Sequence, residues 1–124
     1  MGQAVKRYIV NVTTTGSAGS ATGDGYSKAV SGFLVGAYFD FHASAPATTD
    51  TTVTDVATGR TILTLTNTVT DAMHVVQKQA SDNTGTAISG AYAYSPIDGE
   101  IKISLAQCDA LTNAVQVHLY ILEG

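Results

Sequence analysis

The chain has 124 residues, six basic against ten acidic, a formal net charge of −4 and only 13% charged residues. That length suits one domain, 1–124, and hardly permits two. The six cations (Lys6, Arg7, Lys28, Arg60, Lys78 and Lys102) are scattered and lack the concentrated positive field that nucleic acid requires. A lone cysteine, Cys108, excludes an internal disulfide and reads as a small buried apolar residue. No apolar run reaches the roughly 18 residues of a membrane helix, so no membrane partner is expected.

Threonine occurs 18 times and valine 12 times. Both are stiff at χ1 and favour strands over helices. The first period-two segment is Val5 to Thr14, with Tyr8, Val10 and Val12 on one face. "TGSAGSATGDG", residues 15 to 25, is small and glycine-rich and predicts a flexible loop. From Phe33 the chain alternates Phe33, Val35, Ala37, Phe39 and Phe41 against Leu34, Gly36, Tyr38, Asp40 and His42. Gly32 and Gly36 suggest a bend or bulge there.

Residues 51 to 71 predict a hairpin turning at "ATGR", with one buried face and one threonine face. "DAMHVVQKQ" (71 to 79) predicts a strand and "ASDNTGT" (80 to 86) a loop. Asp98-Gly99 reads as a tight type I′ turn pair leading into Ile101, Ile103 and Leu105. Residues 108 to 114 fit one helical turn. "AVQVHLYILE" puts Val115, Val117, Leu119 and Ile121 on one face. Seven or eight short strands with no room for crossover helices predict an all-β fold. The expected form is an antiparallel β-sandwich, of jelly-roll or barrel-like type. The expected core holds Phe33, Val35, Phe39, Phe41, Ile101, Ile103, Leu105, Val117, Leu119 and Ile121.

No spacing demands a particular chemistry. Asp40 and His42 lie two apart, as strand-borne metal ligands can, but isolated histidines on strand faces are the commoner reason. Most of the acids fall at turns, where Asp bonds its own backbone. No G-x-S-x-G elbow is present, and the glycine-rich loop lacks a phosphate-binding lysine. The expectation is no catalytic residue, no metal and no cofactor. Phe33, Tyr38 and Tyr92 are aromatics of the kind enriched at interfaces, and they are the candidate interface residues. Tyrosines can also stack sugars, and the alternative is a ligand- or carbohydrate-binding β-sandwich module of a phage fibre or bacterial surface protein.

At "DFHASAPATTDTTVT" (40 to 54), "RTILTLTNTVTDA" (60 to 72), "YSPIDGEIKISLAQCD" (94 to 109) and "VQVHLYILE" (115 to 123), the chain resembles the head decoration, or cement, proteins of tailed bacteriophages. The resemblance implies a non-enzymatic structural protein made in the host cytoplasm and carried on the exterior of the virion. It implies the major capsid protein as partner and a homo-oligomer, a trimer before a dimer. It carries over no catalytic residue.

Overall fold

The computed structural model describes residues 3–123. Eleven strands follow in order: β1 (Ala4–Val12), β2 (Ala21–Tyr26), β3 (Val30–Phe41), β4 (Asp50–Asp55), β5 (Arg60–Leu65), β6 (Ala72–His74), β7 (Lys78–Ser81), β8 (Ala87–Ala93), β9 (Ser95–Gly99), β10 (Ile101–Cys108) and β11 (Val115–Glu123). All pairings between them are antiparallel. One sheet runs β1-β11-β3-β6, with β9 also on β3; the second runs β2-β10-β4-β5; β7 and β8 pair only with each other. The all-β, antiparallel sandwich expected from the alternation is what forms.

β6 lies opposite Ala37 to Phe39 and β9 opposite Val30 to Leu34, so the two sit end to end along one edge of β3. They are two halves of one interrupted strand. Counted that way, each sheet has four strands, and each interleaves strands from the two ends of the chain. This is the two-sheet order of a jelly roll. The β7–β8 hairpin is an insertion in its sixth strand.

The core lies between the sheets. β11 is central in the first sheet and buries Val115, Val117, Leu119 and Ile121; β10 is central in the second and buries Ile101, Ile103 and Leu105. Val10, Val12, Leu34, Phe39, Phe41, Val53, Ile97 and Cys108 complete it. Each fully buried Val, Leu, Ile or Phe contributes about 1.5–3 kcal/mol, which is what ties the two sheets together. The β4–β5 hairpin turns at Gly59, whose φ of 71° suits glycine. Its outer face carries the cross-strand pair Thr52 and Thr64, as the threonine pattern required.

Five expectations need correction. Phe33 is 42% exposed and Val35 only half-buried, while Leu34 is buried. The pairing with β11 slips between Tyr120–Gly36 and Ile121–Leu34, leaving Val35 as an extra residue. A bulge of one residue exchanges the two faces of a strand. Second, Asp98-Gly99 is no hairpin turn. Both residues end β9, paired with Ser31 and Val30, and the chain then rolls into the other sheet at Ile101. Gly99, at φ 138°, serves that crossing.

Third, the loop expected at 15–25 is a strand from Ala21 onward. A Cβ on Gly23 would stand 2.3 Å from the Thr13 carbonyl oxygen, and one on Gly25 2.8 Å from that of Asn11. The glycines let β2 pass close to β1 at the sandwich corner, so their small size reflects packing rather than looseness. Residues 16–20 make the turn, tied by the Gly19 N–H to the Asp109 carboxylate at 2.9 Å. Fourth and fifth, 108–114 is no helical turn and 71–79 no single strand. Thr14 takes up the backbone of the first, accepting from Leu111 N–H at 3.0 Å and donating to the Asp109 carbonyl at 2.6 Å. The second splits into β6 and β7.

Candidate functional site

The β7–β8 hairpin stands apart from the sandwich. Twenty residues, Val75 to Tyr94, separate β6 from β9, and the two strands inside this span pack extensively only on each other. Its tip is held by Asp82, whose carboxylate accepts from the Thr84 hydroxyl (2.7 Å) and from the Thr84 and Thr86 N–H groups (2.9 and 3.0 Å). Those bonds, the Thr84 hydroxyl first, hold its pKa below the ordinary carboxylate value. A register shift and Gly90, at φ 79°, twist the ribbon. Val75, Ile88 and Tyr92 are exposed, Tyr92 at 57%. A free two-stranded hairpin is at best marginally stable in water, so one bearing bare apolar side chains gains by being covered.

The arm's base is firm. Asp55 is buried in the β4–β5 turn, where its carboxylate accepts from the Thr58 hydroxyl at 2.9 Å and lies 3.9 Å from the Arg60 guanidinium. Arg60 then donates to the Ser95 hydroxyl at 3.0 Å, at the residue where the arm re-enters β9.

The second surface is the outer face of the first sheet. The registers lay Ile9, His118, Tyr38 and Met73 in one row across it, and Val5, Leu122, Phe33 and Pro96 in another. Tyr38 meets His118 edge to face at 6.0 Å. Phe33 and Tyr38 thus share this face, whereas Tyr92 belongs to the arm. Gly32 and Gly36 predict a bend or bulge, and the one beside Gly36 turns Phe33 outward, so the face assigned to Phe33 was wrong rather than the bulge.

At one end of this face Asn11, Asp40, Phe41, His42, Asn113 and Gln116 line a cup of about 210 Å³. His118 Nε2 donates to Gln116 Oε1 at 3.0 Å, and Gln116 Nε2 donates to Asn11 Oδ1 at 3.1 Å. The chain of bonds leaves the Asn11 NH₂ as its terminal donor. His42 Nδ1 accepts from Ser44 N–H at 3.0 Å, so its Nε2 carries the ring proton when neutral. The rim is pinned by His42 N–H to the Ala114 carbonyl (2.8 Å) and Asn113 N–H to the Thr13 hydroxyl (3.2 Å). Asp40 and His42 both line this cup, but among the described residues no three His, Cys, Asp or Glu side chains gather where a metal ion could be held.

No protein-family profile matches the chain, and none of the curated proteins does. Among solved structures it is similar to two mutants of CBM29-2, studied for the mechanism of ligand recognition by family 29 carbohydrate binding modules. The first is 12% identical with a TM-score of 0.36, over 98% of this chain and 90% of that one. The second is 12% identical with a TM-score of 0.32, over 95% and 79%. Likeness at this level says nothing of what the present chain binds.

Proposed function

We propose that the protein is a structural virion component that binds the outer surface of an assembled phage capsid, with the β7–β8 arm as its docking element. The observation that carries this reading is the arm itself: a twenty-residue ribbon inserted in one jelly-roll strand, leaving the sandwich without it complete and presenting Val75, Ile88 and Tyr92 to solvent. Such an element contributes little to its own domain. Its natural role is to reach a neighbour. The resemblance to head decoration proteins supplies the neighbour, the major capsid protein. A homo-oligomer, a trimer before a dimer, would bring several arms to one shell, and each added arm binds at high effective concentration. A protein bound only to the assembled shell stabilises that shell by mass action. The test is to strip the protein from particles, heat both populations, and add back either the intact protein or one lacking the arm. Intact protein restores the rupture temperature and the armless form does not; equal rupture in all samples refutes the proposal.

One observation favours a second reading, a carbohydrate-binding module. The cup beside Tyr38 brings the Asp40 carboxylate together with donor groups on Asn11 and His42, a combination suited to binding hydroxyls. Binding to a glycan array that disappears in Asp40→Ala supports it; an array without signal removes it.

A further inference from the structure

Half of the six cations meet in one place. A groove of about 310 Å³ is lined by Lys6, Arg7, Tyr8, Ile9 and Lys28. Residues 6 and 8 point to one side of β1, and 7 and 9 to the other, because side chains alternate along a strand. A groove that all four line runs along the edge of β1 rather than over either face. That edge is open. β1 pairs with β11 alone and ends the first sheet. Beyond Val10 its edge is closed by β2, where Gly25 approaches the Asn11 carbonyl and Gly23 that of Thr13. From Ala4 to Ile9 nothing in the described chain bonds the outward backbone groups.

Such an edge is a template for another strand, and its charge decides which. A second copy of β1 would set Lys6 and Arg7 against their like, so self-pairing is opposed. An acidic strand meets three cations on a protein whose net charge is otherwise negative. Tyr8 stiffens the site: its hydroxyl donates to Glu123, and the Lys6 ammonium lies 5.2 Å over its ring.

We propose that the β1 edge over Ala4 to Ile9 is a docking site for an extended acidic segment of a partner protein, added as a further antiparallel or parallel strand. Backbone bonds would supply the register and Lys6, Arg7 and Lys28 the selectivity. The site is separate from the arm and stands whether or not the partner is a capsid protein.

The experiment titrates isotope-labelled full-length protein with a ten-residue peptide in which adjacent pairs of Asp or Glu alternate with pairs of Val or Thr, so that acids lie on both sides of the added strand, followed by amide NMR. A control peptide carries Lys at every acidic position. The expected result is shift changes and slowed amide exchange confined to residues 4–10 and the Lys28 loop, with no response to the control. Lys6→Glu with Arg7→Glu should weaken binding at least tenfold, and raising salt from about 0.05 to 0.5 M should weaken the unaltered protein's binding, as screening demands. The salt series stands if the double variant fails to fold. No binding at millimolar peptide, equal binding of both peptides, salt-independent binding, or changes centred elsewhere each overturn the proposal.

Discussion

Cutting out the arm should leave the sandwich as stable as before, or more so. His74 lies opposite Ala37 and Ser95 opposite Leu34, three positions apart along β3. At about 3.3 Å per residue the gap is roughly 10 Å, which a four-residue Gly-Ser link spans. Replacing twenty residues by four shortens the closed loop by a little over two doublings, and each doubling costs about 0.6 kcal/mol of closure entropy. The shorter link should therefore favour folding by about 1.4 kcal/mol. Against this stands the loss of a hairpin whose own stability is near zero, so the expected net change runs from none to about 1.5 kcal/mol of added stability. Urea unfolding monitored by far-ultraviolet circular dichroism measures it. A loss above about 2 kcal/mol, or a broad non-cooperative transition, would show that the arm belongs to the core, and the docking role would fail with it.

Ser27→Ala removes a hydroxyl that accepts from the buried Ile101 N–H at 2.9 Å and donates to the Lys28 carbonyl at 2.7 Å. Leaving that N–H unpaired should cost about 1–3 kcal/mol in urea unfolding, whereas Ser31→Ala, at an exposed position, should stay within about 0.5 kcal/mol. The hydrogen bond to Glu123, then burial and that carboxylate's charge, push the Tyr8 phenol above its ordinary value. A raised folded-state pKa means that this contribution is complete below the unfolded value of about 10 and is lost as pH rises through the folded one. The stability difference between the native protein and Tyr8→Phe should therefore be constant from neutral pH up to about 10 and shrink above it, and a difference that is the same on both sides of that window would contradict it.

What the sequence disclosed was local. β11 was legible because Val115, Val117, Leu119 and Ile121 alternate without a break at the centre of a sheet. The jelly-roll order was not, since it depends on pairings such as Ala4 with Glu123 across the length of the chain. Asp98-Gly99 misled because a dipeptide that makes a tight turn equally serves a strand rolling from one sheet to another. Gly23 and Gly25 misled because glycine looks the same whether it loosens a chain or lets two strands touch. One extra residue at Val35 moved Phe33 from the expected core to the outer face beside Tyr38. The arm's tip was read correctly as a loop, but nothing in residues 75 to 94 announces that its strands leave the sheet. Lys28 lies far from Lys6 and Arg7 in sequence, so only the fold could show that the three share a groove.

The most direct test of the account is an electron-microscopy map of shells to which the purified protein has been added back. The docking role predicts this chain's density on the outer surface, with residues 75–94 against the major capsid protein and Val75, Ile88 and Tyr92 covered. Shells that remain bare, or bound protein whose arm points into solvent, would contradict it.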